Sequence, residues 1–87
     1  MHEHALIANL LRQVDKVAAT EGARKVTKVS VWLGALSHMS PDHFRTHFDA
    51  DATGSLAEGA ELDCETSSDI ADPNAMSVLL KSVEVET

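Results

Sequence analysis

Leu6, Ile7, Leu10, Leu11, Val14, Val17 and Ala18 recur at three- and four-residue steps. That spacing predicts an amphipathic helix over residues 4–21 with one apolar stripe. Arg12, Asp15, Lys16 and Ala19 fall on the opposite side. Gly22 is a natural terminator, because glycine takes the left-handed conformation without steric cost. The pattern then switches to period two over residues 26–33. Val29, Val31 and Leu33 alternate with Lys28, Ser30 and Trp32, which predicts a half-buried strand. Trp32 lands on the more polar face, either as a packed edge residue or as part of a contact surface.

Ser40-Pro41 reads as an N-cap followed by proline at the first helical position. A second helix is predicted from there to about Asp51, with Phe44 and Phe48 one turn apart and facing the core. Gly54 and Gly59 frame a loop. Leu62, Cys64 and Thr66 alternate with Asp63 and Glu65, a second strand. Residues 67–74 are polar, contain Pro73 and read as a loop. A third strand is predicted from about Met76 to Glu86, where Val83 and Val85 alternate with Glu84 and Glu86. The order α-β-α-β-β suits an α/β two-layer sandwich, a three-stranded sheet with two helices on one face. The last two strands are close enough in sequence to pair antiparallel, with the first strand on either edge. A sheet covered on one face exposes its other face and an edge, so self-association as a homodimer is an expectation.

Size and composition narrow the function. The 87 residues fit one domain spanning residues 1–87. The aromatic complement is one Trp, two Phe and no Tyr, and the formal charge is −7. Base-stacking platforms are scarce and phosphate backbones are repelled, so nucleic-acid binding is a poor reading. The charge is uneven: residues 42–87 hold eleven acidic and two basic side chains. This is a solvated acidic rim, or a face that steers a basic partner or a cation. The single cysteine, Cys64, excludes an intramolecular disulfide and a paired-CxxC zinc site. A thiol without a partner fits a reducing compartment. With no membrane-length apolar run and no visible signal peptide, the expected location is the cytoplasm.

Two places offer metal chemistry. The first is Met1-His2-Glu3-His4, where an α-amine, an imidazole and backbone amides lie within three residues. Such nitrogen donors suit square-planar Ni(II) or Cu(II). The positive end of the helix disfavours a bare cation there, an effect that deprotonated amides and Glu3 would offset. The bland alternative is a frayed polar terminus. The second is His43 with His47, at i and i+4 on one helix face, as metal-binding histidine pairs require. Asp51 continues that line but lies ~12 Å along the axis from His43, too far for one ion to use all three. Solvated histidines are the alternative here. Cys64 reads as a small strand residue, Ser37-His38 lacks the acid and oxyanion hole of a triad, and no phosphate loop appears. No enzyme activity is expected.

The whole pattern resembles the HypA (also HybF) family of hydrogenase nickel-incorporation metallochaperones. The matching pieces occur in order. They are Met1-His2-Glu3 leading into the first helix, Leu33-Gly34-Ala35-Leu36-Ser37 after the first strand, and Pro41-Asp42 with Phe44, Phe48 and Asp49. Gly54 and Ala57-Glu58-Gly59-Ala60-Glu61-Leu62 lead into the second strand, and Val83-Glu84-Val85-Glu86 closes the chain. The resemblance implies an α/β nickel-binding domain that delivers Ni(II) to a hydrogenase large subunit together with a maturation GTPase, or in some members serves urease. It implies Ni(II) at the terminus, carried over here to Met1, His2 and Glu3.

The family's zinc ribbon, expected between the last two strands, has no counterpart in this chain. A short loop at residues 67–75 stands in its place, and zinc is not expected. Glu58 and Glu61 match a family stretch without a transferable role. Two functions follow: a zinc-less nickel-binding maturation protein, or a non-metal adaptor that docks in the hydrogenase maturation complex.

Overall fold

Strand β1 (Lys25–Leu33) is the centre of the molecule. The computed structural model describes residues 2–87, with side chains from residue 5 onward. The element order is α1 (His2–Thr20), β1, α2 (Pro41–Ala52), β2 (Glu61–Thr66) and β3 (Val78–Glu86). This is the expected α-β-α-β-β two-layer sandwich.

Helix α1 buries Ile7, Leu10, Leu11, Val14 and Ala18. Val17, expected in the core, is 37% exposed, and Leu6 is half-buried. At ~100° per residue these two fall on the same flank of the stripe, ~60–80° from Val14, where the narrow sheet no longer covers them. The helix ends in a Schellman motif. Ala23 N–H donates to Ala18 O (2.9 Å) and Gly22 N–H to Ala19 O (3.2 Å), with Gly22 at φ +64°.

Helix α2 opens as the sequence predicts. Ser40 Oγ accepts from His43 N–H at 3.2 Å, and Pro41 takes the first helical position. Phe44 and Phe48 are fully buried, with ring centroids 5.7 Å apart. Past α2, Glu58 Oε1 accepts from Gly54 N–H at 2.9 Å, and Leu56 O accepts from Val26 N–H at 2.9 Å. These bonds fasten the loop to the start of β1 and give Glu58 a structural role.

The sheet order is β2-β1-β3, which corrects the expected pairing of the last two strands. β1 runs parallel to β2 and antiparallel to β3. The physical reason is burial: Val26, Val29, Val31 and Leu33 of β1 are buried, whereas no residue of β3 is, so β1 takes the centre with a neighbour on each edge. Val29 lies opposite Leu62 on one side and Val83 on the other. The chain between β2 and β3 crosses the end of β1 and bonds to it on the way. Ser67 N–H donates to Leu33 O, Gly34 N–H to Ser77 O and Leu36 N–H to Ala75 O, at 2.7–3.0 Å. Consequently β3 begins at Val78 rather than near Met76, which is 72% exposed. Register shifts interrupt the β1–β3 ladder between Val26 and Lys28 and between Ser30 and Val31.

Valines and leucines of all three strands meet the helices in one core. The opposite sheet face is uncovered. The register puts Lys28, Ser30 and Trp32 in its middle row, Glu61, Asp63 and Glu65 on the β2 side, and Glu84, Ser82 and Leu79 on the β3 side.

Candidate functional site

Of the predicted terminal donors, Met1 lies outside the described residues, as do the side chains of His2 and Glu3. What is described is their setting. α1 starts at His2, and the first amides of a helix have no intrahelical partner.

Just inside the terminus, Ala5, Leu6 and Asn9 form one wall of a cavity of about 430 Å³. Leu36, Ser37, His38 and Met76 form the other. The loop that supplies this second wall is built by Gly34. A Cβ there would come within 2.2 Å of Ala75 O, so only glycine lets residues 74–77 pack against it. Ser37 Oγ and N–H both donate to Gly34 O, at 2.7 and 3.0 Å, and His38 follows at φ +60°. Sequence reasoning missed this cavity because Met76 joins it from the far end of the chain. Its one signal was the Leu33-Gly34-Ala35-Leu36-Ser37 string.

His43 and His47 come together as the i, i+4 spacing requires. Their half-buried rings stack with centroids 4.7 Å apart and planes 19° from parallel. Together with Thr46 they line a shallow cavity of about 230 Å³. Among the described residues, no group of three or more His, Cys, Asp and Glu side chains converges as a metal site.

Trp32 is half-buried on the uncovered sheet face. It borders a cavity of about 360 Å³ with Asp72, Asn74, Leu79, Leu80 and Lys81. Lys81 Nζ donates to Glu65 Oε1 at 2.5 Å beside it. The Cys64 thiol is half-buried, and burial pushes its pKa up. The nearby Arg45 charge opposes that rise and Asp63 adds to it. A thiol shifted this way is a poor nucleophile at neutral pH. Among the described residues, no helix is long and apolar enough to cross a membrane.

A family model described as hydrogenase/urease nickel incorporation, metallochaperone, hypA, matches residues 1–72. The hydrogenase maturation factor HypA of Chlorobium limicola is 43% identical over 65 residues, covering 75% of this chain and 56% of its own length. That of Methanosarcina acetivorans is 39% identical over 66 residues, covering 76% and 50%. The chain thus spans about half the length of the curated relatives it matches. The solution structure of the Ni metallochaperone HypA from Helicobacter pylori superposes with a TM-score of 0.79 at 20% identity. That superposition covers 99% of this chain and 98% of the other, a likeness of fold.

Proposed function

The chain belongs to the HypA family of hydrogenase/urease nickel-incorporation metallochaperones, and from that premise we propose that it serves hydrogenase maturation as a non-catalytic docking module. The observation that carries this reading is the uncovered sheet face. A half-buried Trp32 lies opposite Glu65, one row from Asp63, and borders Asp72 and Lys81, the pairing of an aromatic anchor with a charged rim that interfaces use. On this reading the partner is the hydrogenase large subunit or the maturation GTPase, and the loop at residues 67–75 takes the place of the family's zinc ribbon.

The test is capture of those two purified partners by the immobilised chain, with and without a chelator. Retention that survives the chelator and falls at least about tenfold with Trp32→Ala, equivalent to ~1.4 kcal/mol, is expected. Retention abolished by the chelator, or indifferent to Trp32→Ala, overturns it.

A second reading makes the chain a nickel carrier. It is favoured by the family match beginning at residue 1 and by the donor chemistry of Met1, His2 and Glu3. The terminal amine, the His2 amide nitrogen and its imidazole form a nitrogen set of the kind Ni(II) takes in a square plane, with Glu3 beside it to offset charge. Nickel is cargo here, taken up and released. Calorimetry on protein with an authentic Met1 amine is expected to give Ni(II) binding that His2→Ala or one preceding residue removes. Binding unaffected by both changes overturns the reading.

A further inference from the structure

Helix α2 carries chemistry that neither reading uses. His43 and His47 are four residues apart, hence on one face of the helix. The helix cannot roll to hide or separate them. Phe44 and Phe48, each one residue further along, are fully buried and lock its orientation, and the Ser40 cap fixes its first turn. Both rings are therefore held half-buried at the border of the core, 4.7 Å apart, over a cavity they share with Thr46.

We propose that His43 and His47 form a second, two-histidine chelate for a divalent late transition metal ion, with nickel as its cargo-matched occupant. Imidazole nitrogens bind such an ion at ~2.0–2.1 Å, which puts adjacent donors ~3 Å apart. Chelation takes the rings out of this stack so that their in-plane lone pairs converge, a turn about the final side-chain torsion, which is broad and soft for histidine. Imidazole donors select nickel, copper and zinc over magnesium and calcium, and the chain's charge of −7 enriches cations near its surface.

Two protein donors leave the remaining coordination positions to water. Such a site holds an ion without enclosing it, which is what temporary custody of a cargo ion requires. It lies on a different helix from the terminal motif and does not depend on it.

The experiment uses the full chain carrying His2→Ala, which removes the terminal imidazole, and Ni(II) alone as the probe. A two-histidine, water-completed Ni(II) is six-coordinate and paramagnetic, whereas a square-planar nitrogen site is diamagnetic. NMR is therefore expected to show broadening of His43, Thr46 and His47 signals that saturates at one equivalent of nickel. Mg(II) is expected to leave them unchanged. His47→Ala lies on the surface side of α2, and a far-ultraviolet spectrum checks that the fold is kept. It is expected to weaken binding at least tenfold and remove the broadening.

Signals that stay sharp with nickel, or broadening that persists in the His43→Ala/His47→Ala double variant, overturn the proposal. Saturation at half an equivalent with a doubled mass also overturns it, since the ion would then bridge two chains. Failure of the terminal nickel site reads out differently, as equal Ni(II) stoichiometry with and without His2→Ala.

Discussion

Lys81 Nζ reaches across the central strand to donate to Glu65 Oε1 at 2.5 Å, joining β3 to β2 over a strand that separates them. Neighbouring strands lie ~4.8 Å apart, so the pair spans two strand spacings, a distance only long side chains cover. The β1–β3 irregularity at Ser30 and Val31 makes it possible. The register pairs Ser30 with Ser82 and Val31 with Leu80, which leaves Lys81 as the extra residue. The strap lies over the Ser30–Trp32 stretch and flanks the indole.

The hydrogen bond to Glu65, and then the Glu65 charge, raise the Lys81 pKa above its ordinary 10.5. A folded-state pKa raised in this way contributes stability that is fully present below pH 10.5 and is lost as pH rises through the folded value. NMR titration of the Lys81 side chain is expected to give a midpoint above 10.5 that moves down in Glu65→Gln. Because both partners are exposed, the thermal midpoint at pH 7 is expected to change little in that variant.

Gly34→Ala tests the junction between β1 and residues 74–77. The added methyl would meet Ala75 O at 2.2 Å and Asn74 O at 2.7 Å, both backbone atoms that cannot swing aside. Relief requires lengthening the bonds from Gly34 N–H to Ser77 O and from Leu36 N–H to Ala75 O. Overpacking typically costs ~1–3 kcal/mol, and a clash with backbone belongs at the upper end. Urea unfolding is expected to show that loss, together with faster amide exchange at Leu36 and Ser77. An unchanged midpoint would show that the two segments separate freely.

Local signals were legible in the sequence and remote pairings were not. Ser40-Pro41 announced the start of α2, and Gly22 announced the end of α1. The physics of caps is contained within a few residues. Closeness in sequence predicts a β2–β3 hairpin, whereas β1 lies between those strands. The deciding term is the burial of Val26, Val29, Val31 and Leu33, which places β1 between two neighbours. The register shifts that release Lys81 leave no mark in a period-two pattern. The cavity beside the terminus was hidden for the same reason, since Met76 meets Leu36 only after the chain folds. The i, i+4 spacing shows that His43 and His47 share a face, but not that their rings stack, which rotamers decide, while the terminal donors are legible only as sequence.

Cys64 offers a solution probe of β2. Burial is the leading cause of its raised pKa, and the Arg45 charge works against it. Arg45 stays near β2, its guanidinium 3.5 Å from Leu62 O. Alkylation by iodoacetamide at pH 8 is expected to be slower in the folded chain than in urea, and slower still in Arg45→Gln. The folded pKa lies above the ordinary 9.0. The associated stability is therefore present below pH 9 and declines as pH rises through the folded value. Equal alkylation rates in the folded and unfolded chain would contradict the assignment.

Phe44 and Phe48 of α2 are, among the described residues, the largest fully buried side chains of the core. Truncating a buried phenylalanine to alanine costs ~3–5 kcal/mol, the lost transfer energy plus the cavity left behind. Domains are stable by only ~5–15 kcal/mol, and an 87-residue chain belongs at the low end. Phe48→Ala is therefore expected to leave the protein largely unfolded near 37 °C, with loss of the cooperative urea transition. Phe48→Leu keeps most of the apolar volume and is expected to remain folded with a lowered midpoint. The pair also sets the rotation of α2, so in Phe48→Leu the His43 and His47 rings should stay adjacent. Their mutual nuclear Overhauser contacts check this, and their loss would mean that the helix orientation depends on both rings rather than on burial alone.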